Sequence, residues 1–224
     1  MFTICFSHFS NLEIEYRLLR TVVFLYFCIF EYEINMRQNL LQIFKQGFDV
    51  IFLRQQAWGA INNEDKSEQE LFKSYTLPLI GCCTLCVFVF KLIYGNGFQI
   101  AFLEAVITAI SFLGTHFITK EALHFFLEKN YDSQTDRTDV AKLVSYGFMA
   151  IYFVEIAEAI VPSFFLFKIF LFYTYFLVLD GCKILFDFPQ NKLNNVVLLV
   201  FLLMLILPFL LTFVVKMFLP NAQF

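Results

Sequence analysis

Three carboxylates fall inside long apolar stretches of this chain: Glu104, Glu155 and Glu158. Glu155 and Glu158 stand three residues apart, so on a helix they share one face. A carboxylate in hydrocarbon is costly, and such residues face a bundle interior, a water-filled cavity or a cation. Two chemistries fit the three glutamates. One is a proton or cation site. The other is a Glu–Lys cluster at the membrane rim, for which Lys168, just beyond Pro162, supplies the cation.

The remaining reactive residue types read as structural. His116 and His124 have no partners at metal-ligand spacing, so no metal site is expected. Cys83 and Cys86 form a C-x-x-C pair, but a redox pair needs an accessible thiolate, and these sit in an apolar run after Gly81. Ala101, Ala105 and Ala109 recur every four residues, a small-residue stripe that lets helix backbones approach. Nucleotide-binding glycine patterns, H-E-x-x-H and G-x-S-x-G do not occur, which gives no expectation of a catalytic residue or a cofactor.

The elements that must hold these residues follow from composition. Of the 224 residues, 59% are hydrophobic and 16% are charged, and 33 are Phe. Soluble domains run nearer 45–50% apolar and about 25% charged, and a soluble fold of this size leaves roughly a third of its surface in water. A lipid bilayer is therefore the expected partner. The net charge of -3 offers nothing to nucleic acid. The six cysteines lie mostly in apolar runs and suit buried hydrophobes rather than a disulfide framework.

The expected fold is all-α: a polytopic membrane protein, a bundle of five transmembrane helices preceded by an amphipathic cytoplasmic helix. The spans are expected at about 75–94, 98–119, 143–161, 164–179 and 196–215, within a membrane region of 75–219. The last run carries no charge. The break at Pro162-Ser163 leaves the third and fourth spans readable as two crossings or as a re-entrant hairpin. In residues 36–74, Leu40, Leu41, Phe44, Phe48, Ile51 and Phe52 recur at helical spacing among polar residues, the pattern of a helix at a membrane surface. In residues 1–35 the apolar run 21–30 is too short to span. That stretch is either an interfacial anchor or an extension upstream of a natural start at Met36.

Orientation follows from Lys and Arg, which collect in cytoplasmic loops. With five spans, 13 of them fall on the side of the N-terminus and 3 on the other, or 11 against 3 without the first 35 residues. The N-terminus is then expected in the cytoplasm and the C-terminus outside. Residues 36–74, 120–139 and 180–195 would face the cytoplasm, where a protein partner could meet residues 36–74. Oligomeric state is not fixed by these features.

Three stretches also resemble a known family. They are Ala57-Trp58-Gly59-Ala60-Ile61-Asn62 followed by Tyr75-Thr76-Leu77-Pro78-Leu79, then Val144-Ser145-Tyr146-Gly147 with Pro162 sixteen residues after the Tyr, then Tyr173-Thr174-Tyr175 through Gly181-Cys182-Lys183 and Pro189. From about Met36 onward the chain resembles the Yip family, named for Ypt-interacting proteins, in its bacterial form. The pattern departs at Phe148, Met149 and Ala150, where the family often has a Pro. The resemblance implies a five-helix membrane bundle with a cytoplasmic N-terminus, at a bacterial inner membrane if the chain is bacterial, and no catalytic residues. Eukaryotic relatives bind Rab-type GTPases in vesicle traffic, a role with no counterpart in a bacterium. The functional expectation is a non-enzymatic interaction or membrane-organising component. The alternative is a small transporter or channel-like protein using the three glutamates.

Overall fold

A computed structural model describes residues 36–131, 136–162, 165–186, 188 and 190–218, so the expectations for residues 1–35 lie outside the described residues. The chain divides into two compact units, Met1–Gln42 and Ile43–Phe224. In the first, the described residues form the beginning of a helix, α1 (Met36–Phe52).

The second unit is helical throughout its described residues. After the rest of α1 come α2 (Arg54–Asn62), α3 (Glu68–Leu71), a π-helical turn (Phe72–Thr76) and α4 (Leu77–Ile93). Then follow α5 (Phe98–Tyr131), α6 (Arg137–Gly147), α7 (Met149–Ile160), a 3-10 segment (Phe165–Phe172), α8 (Tyr173–Leu185) and α9 (Gln190–Phe218).

Four helical stretches among the described residues are long and apolar enough to cross a membrane: Glu68–Ile93, Phe98–Lys129, Arg137–Ile160 and Lys192–Phe218. They coincide with the first, second, third and fifth expected spans. The fourth expected span falls on the 3-10 segment and α8. Its change of helix type at Phe172 keeps it from forming one long α-helix.

Local chemistry explains the boundaries. Ser67 accepts from the Glu70 backbone N–H while Glu70 reaches back to the Ser67 N–H, a reciprocal cap that starts α3. The turn between α4 and α5 contains Gly95 at φ 81, a conformation that favours glycine. Asp136 caps α6 by accepting from the Thr138 N–H. Pro208 lies inside α9 without ending it, as membrane helices tolerate. The charged stretch expected to separate the second and third spans is helical through Tyr131, because Leu123 and Leu127 are fully buried one turn apart and extend the packed face of α5. At about 1.5 Å per residue, the 34 residues of α5 reach about 51 Å, well beyond a hydrocarbon core of about 30 Å.

The core between α2, α6 and α8 is built on one aromatic residue. Trp58 is fully buried, and its ring meets Tyr146 edge-on at 6.2 Å. A Cβ on Gly181 of α8 would come within 2.9 Å of the Trp58 ring and 2.7 Å of Leu143. The missing side chain at 181 is therefore what lets the indole seat against α8. Gly59, one residue after Trp58, has nothing within 4 Å of such a Cβ.

These two glycines should respond oppositely. Gly181→Val is expected to lower stability by about 1–3 kcal/mol through overpacking. Gly59→Ala should be neutral or stabilising by up to about 1 kcal/mol, from helix propensity alone. Thermal unfolding of the purified chain in detergent reads both, and a Gly181→Val variant as stable as wild type would refute the seating.

Candidate functional site

Polar side chains gather at the two ends of the bundle. One end is marked by the turn between α4 and α5, where the Tyr94 hydroxyl donates to the Ile160 carbonyl and ties α7 to it. Here Glu104, two turns into α5, accepts from Lys216 of α9 at 2.9 Å. Glu158 of α7 faces Lys168 of the 3-10 segment at 3.7 Å. Glu155, half-buried one turn before Glu158, lies within electrostatic reach of Glu158, Lys168, Glu104 and Lys91.

The four residues singled out from sequence, Glu104, Glu155, Glu158 and Lys168, thus come from three separate elements to one region. Lys91 and Lys216 join them and were not anticipated as members. The set counts three acidic and three basic side chains, so each acidic residue has a basic one within the same region at the edge of a low-dielectric bundle. The alanine stripe runs past Glu104: Ala101 and Ala105 are buried and Ala109 is half-buried.

The other end holds a denser seam. Gln46 of α1 donates to Glu64 at 2.6 Å and to the Tyr146 hydroxyl at 3.0 Å, and Tyr146 donates to Glu64 at 2.9 Å. The Tyr75 ring lies 4.3 Å from that of Tyr146, and the Thr76 hydroxyl donates to Ser145 at 3.0 Å. Lys142, almost wholly buried, donates to the Asn62 carbonyl at 3.2 Å. Lys120 pairs with Glu68 and Glu121. Arg137 donates to His124 at 3.0 Å.

A further pair joins α2 to α8. Arg54 lies 3.3 Å from Asp180, which is 7% exposed. Together these contacts lock residues 43–76 onto the spans. Their geometry is that of a structural clasp, since Gln46, Tyr146, Thr76, Lys142 and Lys120 all meet acceptors within the chain.

The thiols and His116 complete the inventory. Cys82, Cys83, Cys86 and Cys182 are free, and the Cys83 thiol donates to the Tyr152 carbonyl at 3.6 Å. His116 is buried with its ring beside Phe72 at 5.5 Å. Among the described residues no group of three or more His, Cys, Asp or Glu side chains is placed to hold a metal ion.

The Yip1 domain matches residues 48–212, well over half of the chain. The chain belongs to the Yip1-domain family. No curated protein and no solved structure matches it. The Yip1 match begins inside α1 and ends inside α9, so it takes in Trp58, Tyr146, Asp180 and Gly181. It also takes in Glu104, Glu155, Glu158 and Lys168, while Lys216 lies beyond it. The chain is a multi-pass membrane protein of the Yip family.

Sequence reading missed most of the clasp. Gln46, Glu64 and Tyr146 lie up to 100 residues apart, and no spacing rule joins them. Asp180 carried a signal, since an acidic residue in an apolar run needs a cation, but nothing pointed to Arg54.

The clasp should contribute measurably to stability. Tyr146→Phe removes one donor to a carboxylate and one acceptor from Gln46, and is expected to cost about 1.5–3 kcal/mol. Tyr75→Phe loses only a weak contact to the Met149 sulfur and should cost less. Equal effects of the two changes on the detergent melting temperature would count against the network.

Proposed function

We propose that this Yip1-domain protein is a non-enzymatic component of the membrane that meets a protein partner on the surface formed by residues 43–74. One observation carries the reading. Ile43, Val50, Trp58, Ile61 and Leu71 of that segment are buried against the bundle, Phe48, Phe52 and Leu53 are exposed, and Gln55, Gln56, Asn62, Asn63, Asp65 and Glu70 add an exposed polar surface beside them. A segment clasped to the spans presents a fixed polar surface outside them, and fixed polar groups lose little entropy on docking.

The proposed topology has five crossings, the N-terminus in the cytoplasm and the C-terminus outside. The charge asymmetry of 13 against 3 supports it. Length supports the extra crossing. Eight residues of 3-10 helix and thirteen of α-helix together reach about 36 Å, enough for a core of about 30 Å. The identity of that membrane as a bacterial inner membrane, and the partner itself, belong to the same proposal.

The transporter alternative would use the same three glutamates. Their association with Lys91, Lys168 and Lys216 near one end of the bundle favours a rim cluster over an ion path.

Three measurements bear on these readings. An epitope tag after Phe224 should be reached by antibody in spheroplasts whose inner membrane is intact, whereas a tag in the 63–66 loop should need that membrane permeabilised. Both tags on one side would indicate an even number of crossings and overturn the five-span topology. A photo-crosslinking residue at Gln55 or Asp65 should capture a protein that one at Ile110, exposed on the side of α5, does not. Identical capture patterns would remove the case for a partner surface. The double variant Glu155→Gln, Glu158→Gln should leave proton and cation flux into reconstituted vesicles unchanged, and a loss of flux would establish the transporter reading instead.

A further inference from the structure

The bend between α1 and α2 carries an apolar patch that the described residues leave uncovered. Phe52 is 74% exposed, Leu53 51% and Phe48 47%. The Phe48 and Phe52 rings stack at 6.1 Å, and Leu53 follows directly.

Neighbouring elements fix the depth of this bend. The Phe48 ring lies 4.9 Å from that of Phe153 in α7, and Phe44 meets the same ring at 6.5 Å. Gly47 lies against the Met149 side chain. Phe153 stands sixteen residues after Arg137 in the apolar stretch Arg137–Ile160, about 24 Å along it. The second ruler is α8. Tyr173 donates to the Ile51 carbonyl at 2.5 Å, and Arg54 lies 6.0 Å over the Phe176 ring. Phe176 and Tyr173 precede the exposed Lys183 by seven and ten residues, about 10 and 15 Å of helix. Both rulers set the bend inside the length of the spans. From Gln46, which meets Glu64 in the loop after α2, α1 leads inward; α2 leads back out to Asn62, whose carbonyl meets Lys142.

We propose that Phe48, Phe52 and Leu53 are seated among the acyl chains of one leaflet, so that α1 and α2 form a hairpin dipping into the membrane from the side of the 63–66 loop. The patch continues a lipid-facing surface, since Phe176, which Arg54 overlies, is itself 48% exposed. Charges are kept off it. Arg54 turns to Asp180 at 3.3 Å, and Lys45 lies two turns before Phe52, toward the entry. A soluble partner would have to enter the bilayer to cover the patch. A depth of about 10–15 Å below Lys183 also suits an amphipathic segment, whose apolar face goes about 5–10 Å into the headgroup–acyl boundary. The patch is separate from the polar residues 62–70, so a failure here and a failure of the partner surface are distinguishable.

Tryptophan quenching in proteoliposomes tests the seating. The chain's single Trp, Trp58, is fully buried and gives a shielded background. Phe52→Trp, and independently Leu53→Trp, adds an emitter at the tip; Asp65→Trp adds one in the loop, and Ile110→Trp one on the exposed side of α5. In vesicles of phosphatidylcholine brominated midway along one acyl chain, the added emission at 52 and 53 should be quenched severalfold more than that at 65, as it should be at 110. Aqueous acrylamide should show the reverse order. Tip emission quenched by acrylamide as strongly as at 65 would place the bend in water. Tip emission reached by neither quencher would mean that protein covers it, whether a second copy or residues 1–35. Either result overturns the proposal, whatever photo-crosslinking at Asp65 captures.

Discussion

Hydrocarbon cannot hydrate a charge, and a charge placed in it must find a partner or reach the rim. In this chain that constraint decides where the helices meet. Glu104 is paired by Lys216 and Glu158 faces Lys168, at one end of the bundle. Asp180 is the harder case, because it is nearly buried in α8. It is held by Arg54, which lies at the start of α2 and is therefore outside the spans in sequence but against them in space. The pairing draws α2 onto the bundle and so creates the setting in which Trp58 can be buried. Isolated surface ion pairs contribute little. A carboxylate as enclosed as Asp180 differs, since losing its partner would leave an uncompensated charge.

The charge cluster and the clasp differ in kind. The cluster at the Tyr94 end is made of full charges with half-exposed side chains. One of its pairs, Glu158 with Lys168, is long at 3.7 Å, whereas Glu104 and Lys216 meet at 2.9 Å. The clasp at the other end consists of short hydrogen bonds among Gln46, Glu64 and Tyr146 over a packed aromatic floor of Trp58, Tyr75 and Tyr146. A closed network of that sort rigidifies what it joins. The end that is closed presents a polar surface, and the end that is open borders an apolar groove.

Much of the fold could be read from residue order because a bilayer imposes a simple rule of length and hydropathy. The stretches at 68–93, 98–129, 137–160 and 192–218 obey it, and the likeness to the Yip family carried by Trp58, Tyr146 and Gly181 agrees with the family found. The rule says nothing about how helices continue beyond the membrane. So α5 runs on through the charged residues after Lys120, and the helical stretch that holds the first expected span begins at Glu68, upstream of Tyr75. The glutamates of the cluster stood out as costly residues. Lys91 and Lys216 did not, because a lysine near a helix end ordinarily snorkels to water. Gln46 and Glu64 were illegible for another reason. They are ordinary polar residues in a polar segment, and only tertiary contact distinguishes them.

The stretch 165–185 shows how the same physics leaves one question to geometry. It is apolar enough to lie in lipid, and Ile169, Phe170, Phe172 and Phe176 are exposed, as side chains facing acyl chains would be. Its first eight residues adopt the tighter 3-10 winding, which rises about 2.0 Å per residue rather than 1.5 Å. The tighter winding lengthens the segment by about 4 Å relative to an α-helix of the same residues. The gain in length comes at the cost of weaker backbone hydrogen bonds. The winding also sets Lys168 opposite Glu158 of α7 and opens the groove beside α9. Span length, ion pairing and the groove are thus consequences of one local choice of helix type.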